Sequence, residues 1–167
     1  MRRLTVTAFA LFLLLATFAT AADLPTEIVQ HLEKDPYVYI SSTRKSGDLS
    51  AAAEIWFAWD GTDLVVGTNV KSYRVRRIQA GRAAARIWVE NSDGPWFGAT
   101  GAVVNDEKAQ DALVAAFAKK YGEKFTESWQ AKFRKGFGEG TTVVVRYVPT
   151  DATGKGPAGL PPAETKK

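Results

Sequence analysis

Several residue types that often carry chemistry are absent or scarce in this sequence. The 167 residues include no cysteine and a single histidine, His31. Without cysteine the chain can form no disulfide, thiolate nucleophile or cysteine-ligated metal site, so its stability has to come from packing. One histidine cannot build a zinc site, and we expect His31 to be a surface residue or a hydrogen-bonded one. The sequence therefore predicts no metal centre.

A long apolar run is present only at the N-terminus. Arg2 and Arg3 precede an uncharged stretch from about Leu4 to Phe18, and Ala19-Thr20-Ala21 follows it. This order is typical of a secretory signal peptide, and the run is shorter than the ~20 residues that span a bilayer. We expect residues 1–21 to be removed on export, which predicts a secreted or periplasmic protein without a stable membrane anchor. An uncleaved anchor is the alternative interpretation.

A large excess of charge of one sign is also lacking. Loss of Arg2 and Arg3 with the signal peptide would lower the formal net charge from +4 to +2. A nearly balanced chain gives no electrostatic reason to expect nucleic-acid binding. Residues 22–149 are enough for one domain with a full hydrophobic core. Residues 150–167 lack an apolar pattern and are predicted to be a disordered tail.

Runs rich in β-branched and aromatic residues dominate the domain. They predict six strands, at 37–43, 54–59, 63–68, 84–90, 95–104 and 141–149, and Asp60-Gly61 indicates a hairpin between the second and third. Helices are predicted over Glu27–Lys34 behind a Thr26 cap, over Ser72–Ala80, from an Asn105 cap to Gly122, and around Trp129, Phe133 and Phe137. Strands in hairpins with short helices favour a mainly β, α+β antiparallel barrel over a parallel sheet.

The stretch "VVGTNVKSYRVRRI", residues 65–78, concentrates hydroxyl and cationic side chains around a turn. Ser72 is a candidate N-cap, and Arg74 and Arg77 are three residues apart, on one side of the helix that follows. Such groups can cradle a phosphate. Arg76 lies ~200° around the helix from Arg74 and is expected to face solvent. A capped surface helix with solvated arginines is the alternative.

Three segments in order resemble the pyridoxamine 5'-phosphate oxidase-like split barrels, which bind flavin mononucleotide (FMN) or a deazaflavin. They are "YVYISSTRKSGDLSAAAEIWFAWDG", "VVGTNVKSYRVRRI", and "AARIWVE" followed by "WFGATGAVVND". In the second, Thr68, Asn69 and Ser72 match the T-N-x-x-S-x-K segment that holds the cofactor phosphate in this family, and Arg74 stands where lysine is common. The resemblance covers about Glu27 to Pro149.

The resemblance implies a six-stranded antiparallel split β-barrel with short flanking helices and a homodimer with cofactors at its interface. Thr68, Ser72 and Arg74 would hold the phosphate of FMN or a deazaflavin, and the strand Ile55-Trp56-Phe57 would lie along the ring. The residue pattern adds Arg77 as a supporting phosphate ligand. An excess of aromatic residues also favours a dimer, because one small barrel does not readily bury Trp56, Phe57, Trp59, Trp88, Trp96 and Phe97.

Two functions follow from the resemblance. The first is a redox enzyme that acts on a small-molecule substrate, with the cofactor carrying the hydride and no catalytic side chain identifiable. Asp48, Glu54 and Tyr73 are acids that the sequence does not separate from structural residues. The second is an exported, non-catalytic module that binds a flavin, a haem-like group or another anionic ligand.

Overall fold

The computed structural model describes residues 23–157, so the predicted signal peptide and residues 158–167 lie outside the described residues. The helices are α1 Thr26–Lys34, α2 Tyr73–Gln79, α3 Glu107–Tyr121 and α4 Glu127–Gly138, with a short 3-10 helix over Gly122–Lys124. The strands are β1 Val38–Ser42, β2 Ala53–Ile55, β3 Ala58–Trp59, β4 Leu64–Asn69, β5 Ala84–Trp88, β6 Pro95–Val103 and β7 Thr142–Lys155. No helix of this region is long and apolar enough to cross a membrane.

The strands form one antiparallel sheet in the order β2-β1-β5-β6-β7-β4-β3. Its two edge strands, β2 and β3, are consecutive in sequence and are separated only by Trp56 and Phe57. Three residues of extended chain reach roughly 11 Å at most, so the sheet has to curl until its edges approach each other. The resulting half-open barrel with flanking helices confirms the predicted α+β split-barrel fold.

The sheet has seven strands in the described region, where six were predicted, because the expected strand 54–59 is broken. Ile55 of β2 pairs with Val38 of β1, whereas Trp59 of β3 pairs with Leu64 of β4. At the break, the Phe57 N–H donates to the Tyr121 hydroxyl at 2.8 Å, and that hydroxyl lies 2.9 Å from the Phe57 carbonyl oxygen. A side chain from α3 thus replaces the strand partner that Phe57 lacks.

Strand β7 continues six residues beyond the predicted end at Pro149. Phe97 of β6 pairs with Thr153, and the Trp88 Nε1 donates to the Gly156 carbonyl oxygen at 2.8 Å. The prediction of disorder from residue 150 is therefore wrong for residues 150–155. These residues lack an apolar pattern because most of them are exposed, and main-chain pairing holds them in the sheet.

Two of the three predicted helix caps differ from the structure. Ser72 caps α2 as expected, since its side chain accepts a hydrogen bond from the Val75 N–H. Helix α3, however, begins after Asp106 rather than Asn105, and the Asp106 carboxylate accepts from the Ala109 N–H at 2.9 Å. Thr26 is the first residue of α1 and does not cap it, because Pro25 occupies the N-cap position.

The core has two parts. The barrel interior is filled by side chains from nearly every strand together with α1, and the larger of these are Leu32, Phe57, Leu64, Ile87, Phe97 and Tyr147. A second cluster lies under α3 and α4, where Trp56 and four phenylalanines, Phe117, Phe125, Phe133 and Phe137, pack mostly edge to face. Trp129, in the first turn of α4, remains 43% exposed.

Candidate functional site

A cleft of about 670 Å³ lies between the β1–β2 hairpin and the turn from β4 into α2. Four of the seven predicted site residues line it: Thr68, Ser72, Arg74 and Arg77. The other lining residues are Ile40, Ser42, Arg44, Ser50, Ala51, Ala53 and Tyr73. The fold thus brings the polar loop after β1 next to the basic segment after β4, although the two segments are well separated in the sequence. We call this the basic cleft.

Helix α2 is fixed in place at both faces. Its Val75 is fully buried in the barrel core, while Ser72 caps its first turn. On the cleft side, Arg77 Nη1 donates to Ser42 Oγ at 2.7 Å and lies 3.4 Å from the Ser42 carbonyl oxygen. Ser42 is itself buried at the end of β1. These bonds fix Arg77 against the sheet and leave less of its guanidinium free for a ligand.

The environment of the Arg74 guanidinium differs from that of Arg77. Its Nη1 is buried near the Tyr147 hydroxyl, and although no well-formed hydrogen bond joins these two atoms, Arg74 interacts with the hydroxyl. Burial raises the pKa of Tyr147, and the charge of nearby Arg74 opposes that rise. Arg74 also lines the basic cleft, so the part of its side chain that is not buried is available to an anion there.

The charges around this cleft are not compensated by carboxylates. The pKa of Arg77 is lowered, first by burial and then by the neighbouring charges of Arg44 and Arg82. None of the ion pairs in the described part of the chain involves Arg44, Arg74 or Arg77. Mutually repelling cations without a carboxylate partner are a physical reason to expect a bound anion.

Arg76 lies outside this arrangement, as its position on the helix predicted. It is exposed, and its guanidinium lies 4.5 Å from the centroid of the Tyr73 ring, a cation–π contact. Tyr73 itself is 69% exposed. Arg74 and Arg76 are therefore two arginines of one short helix in different environments.

The other three predicted site residues do not line the cleft. Ile55 packs against the barrel core and Phe57 is fully buried within it. Trp56 stacks on Tyr121 with ring centroids 4.5 Å apart, in the cluster under α3 and α4. The chain around β2 reaches the cleft through Ala51 and Ala53 instead. A role of residues 55–57 along a cofactor ring stays a prediction, and within one chain their side chains serve packing.

Sequence reasoning missed Ser42, Arg44 and Ser50. The segment "RKSGDLS" has the composition of a polar turn, and locally it forms one, since the Arg44 N–H donates to the Asp48 carbonyl oxygen at 2.7 Å. The one local signal was its pair of cations, Arg44 and Lys45, directly after a strand. Their approach to α2 depends on the pairing of distant strands, which no local pattern contains.

Acid–base groups are scarce in the basic cleft. Of the acids considered from the sequence, only Tyr73 lines it, while Glu54 is exposed and accepts a hydrogen bond from the Tyr39 hydroxyl at 3.2 Å. His31 lies on α1 and its Nδ1 is 2.9 Å from the Asp35 carboxylate. The described residues contain no group of histidine, aspartate or glutamate side chains able to hold a metal ion. The lining of the cleft is therefore cationic and polar, without a carboxylate or a histidine.

Comparison with known proteins gives matches only at the level of structure. No protein-family model matches the sequence. No curated protein matches it either. Among solved structures, a conserved hypothetical protein from Mycobacterium tuberculosis superposes with a TM-score of 0.60 at 16% identity, over 89% of this chain and 96% of that one.

Two further solved structures have named ligands or activities. An F420 reductase superposes with a TM-score of 0.55 at 23% identity, over 78% of this chain and 98% of that one. The FAD and haem binding protein from Mycobacterium smegmatis superposes with a TM-score of 0.52 at 21% identity, over 84% of this chain and 75% of that one. At these identities the likeness concerns the fold, and it agrees with the resemblance found in the sequence. The chain therefore has the split-barrel fold that flavin-, deazaflavin- and haem-binding proteins also use.

Proposed function

We propose that this protein binds FMN, or a related deazaflavin, in the basic cleft and acts as an exported, homodimeric oxidoreductase on a small-molecule substrate. The observation that carries the proposal is the convergence of Arg44, Arg74 and Arg77 on one cleft, without an ion-pair partner among the described residues. A phosphate suits this set best, because its oxygens accept short charge-assisted hydrogen bonds from guanidinium groups.

Several residues of the cleft would contribute to binding such a cofactor. Arg74 would bind the phosphate directly, with Ser72 and Thr68 beside it at the end of β4 and the start of α2. Arg77, already bonded to Ser42, would contribute charge and fix the cleft wall. When bound, the cofactor supplies hydride transfer, so the protein has only to bind and orient it.

The size and lining of the cleft suit a cofactor of this kind. Its volume of about 670 Å³ falls within the range of roughly 300–1,000 Å³ that is usual for cofactor and drug-sized ligands. Ala51 and Ala53 give one wall small side chains, which leave room for a flat group. Because no carboxylate or histidine lines the cleft, the chain's own acid–base chemistry there is limited to Tyr73.

The structural neighbours support the proposal at the level of cofactor class. One is an F420 reductase, and F420 is a deazaflavin; another binds FAD. Function depends on the site rather than on the fold, so these likenesses add to the argument from the cleft arginines and do not replace it.

A non-catalytic module for a haem-like or other anionic ligand is the second candidate, and the FAD and haem binding neighbour favours it. The donor set of this chain fits a haem poorly. Its single histidine, His31, is bonded to Asp35 on α1 and does not line the basic cleft. Only Tyr73 could serve as an axial ligand there, and tyrosine is one of the less common haem ligands.

The homodimer rests on the sequence resemblance alone. The argument from an excess of aromatic residues is wrong, because Phe57, Trp88 and Phe97 are fully buried within one chain. The other three, Trp56, Trp59 and Trp96, are partly buried. Light scattering of the purified protein at micromolar concentration tests the dimer, and a monomeric mass would count against it.

Export is tested by mass spectrometry of the native protein, where Met1 or Arg2 in an extracytoplasmic sample would contradict signal cleavage.

Matched ligands test the function itself. FMN and riboflavin share the ring and differ in the phosphate. We expect the fluorescence of FMN to be quenched or its absorption to shift on binding. Riboflavin should bind at least about 10-fold more weakly, because it lacks one charge-assisted contact. A reductant that bleaches bound FMN, followed by reoxidation on adding an acceptor, would support the enzyme. Haem binding with no flavin binding would favour the second candidate.

A further inference from the structure

A second cleft, of about 610 Å³, lies between α1, α3 and the strands β3, β4 and β7. It shares no lining residue with the basic cleft. We call it the α1–α3 cleft. Its walls are largely apolar, formed by Leu32, Ala58, Val65, Leu113, Ala116 and Val144. An apolar cleft of this size with a few polar groups is the usual form of a small-molecule site.

One of the cations that line this cleft, Lys120, lies against its apolar wall. Lys120 Nζ donates to the Leu32 carbonyl oxygen at 3.0 Å and lies 3.2 Å from the centroid of the Phe57 ring. An ammonium group has three N–H donors, and the Leu32 oxygen is the single hydrogen-bond acceptor that the described residues give it. None of the ion pairs in the described region includes Lys120.

Burial without a counterion destabilises this ammonium. It lowers the pKa of Lys120 to about 8, and the charge of Asp35 opposes the shift only in part. A carboxylate that entered the cleft would accept the remaining N–H donors and supply the missing counterion. The same site offers apolar walls for a hydrocarbon chain attached to that carboxylate.

The other charges around the cleft nearly balance one another. Arg146 and Asp63 neutralise one another across a 3.3 Å contact. The Asp60 carboxylate accepts hydrogen bonds from Thr62 and Asp63 at the β3–β4 turn. The other charged residues that line the cleft are Glu33 and Lys34 on α1, Lys119 on α3, Asp60 after β3 and Arg146 on β7, and Asp35 acts on Lys120 from the end of α1.

We propose that the α1–α3 cleft binds an amphipathic carboxylate, such as a medium-chain fatty acid, with its headgroup on Lys120 and its chain along the apolar wall. The proposal is independent of flavin binding, since the two clefts have separate linings. Binding favours the charged lysine, so affinity for the carboxylate falls as pH rises through about 8, where the free protein loses that charge.

Decanoate and 1-decanol form a matched pair of probes, because they share the chain length and differ in charge. Isothermal titration calorimetry at pH 7 compares wild type, Lys120→Met and Lys108→Met. We expect Lys120→Met to weaken decanoate by about 10-fold or more and to change decanol little, since it removes one charge-assisted bond. Lys108 is an exposed lysine of α3 that does not line the cleft, so Lys108→Met should change decanoate binding far less.

Three results would overturn the proposal: no decanoate binding by wild type, equal losses from the two lysine variants, or equal losses of decanoate and decanol in Lys120→Met. If circular dichroism shows that Lys120→Met does not fold, the wild type decides alone. Weaker decanoate binding at pH 9 than at pH 7, with decanol unchanged, supports a headgroup on Lys120. A parallel change of both probes contradicts it.

Discussion

The Tyr121 hydroxyl lies 2.8 Å from the Phe57 amide nitrogen and 2.9 Å from the Phe57 carbonyl oxygen, so one side chain of α3 occupies the place of a strand partner. The hydroxyl is also 3.0 Å from the Pro36 carbonyl oxygen, and its single proton can serve only one of the two carbonyls at a time. This contact lies at the turn where the chain passes from one edge of the sheet to the other. Burial accordingly raises the pKa of Tyr121 to about 12.

Tyr121→Phe should therefore destabilise the protein. The change keeps the ring, which stacks on Trp56, and leaves the buried Phe57 N–H without an acceptor, at a cost of about 1–3 kcal/mol. Urea unfolding measures the loss. Tyr39→Phe is the matched control, because its hydroxyl bonds Glu54 on the surface and should matter by less than about 0.5 kcal/mol. Equal losses in the two variants would contradict a structural role for the Tyr121 hydroxyl.

At Gly67 of β4 the helices α3 and α4 approach the sheet closely. A Cβ atom at this position of β4 would meet the Phe133 ring and lie 3.0 Å from Leu113 Cδ2. Gly67→Ala is expected to cost about 1–3 kcal/mol by overpacking. Gly138→Ala, on α4, places its Cβ in open space and should be neutral or stabilising by up to about 1 kcal/mol. Thermal unfolding of both variants checks this, and an unchanged melting temperature for Gly67→Ala would show that the helices shift freely.

The extension of β7 can be tested by truncation. A chain ending at Pro149 loses the pairing of residues 150–155 with β6 and leaves Trp88 Nε1 without the Gly156 oxygen. We expect this truncation to lower the free energy of unfolding by at least about 1–3 kcal/mol, the usual cost of unsatisfied buried groups. A chain ending at Pro157 keeps these contacts and should match the full chain. Equal stability of the two truncated forms would mean that the strand extension contributes nothing.

The parts of the fold that the sequence predicted well are those that local patterns determine. The β3–β4 hairpin follows from Asp60-Gly61 between two apolar runs, and the start of α2 follows from the Ser72 cap. The break at Phe57 could not be predicted in this way, because its cause, Tyr121, lies 64 residues further along the chain. The polar end of β7 was missed for a similar reason, since main-chain pairing rather than an apolar pattern holds it.

The candidate site shows the same division. Arg74 and Arg77 could be placed on one side of α2 from their spacing, and both line the basic cleft. Their partners could not be predicted, because Ser42 and Arg44 reach the cleft through the pairing of β1 with β5 and β2. The family resemblance places Trp56 and Phe57 along the cofactor ring, whereas in the structure their side chains pack in the two parts of the core.

The central claim is that Arg74 binds the phosphate of a flavin-type cofactor, and Arg76, two residues away on the same helix, is its natural control. A fluorescence titration of FMN into wild type, Arg74→Ala and Arg76→Ala compares an arginine that lines the basic cleft with one that lies exposed over Tyr73. We expect Arg74→Ala to lose about 1.5–3 kcal/mol of binding free energy, roughly 10- to 150-fold in affinity, and Arg76→Ala to change it little. Equal losses from the two substitutions, or no binding of FMN or a deazaflavin by the wild type, would contradict the account.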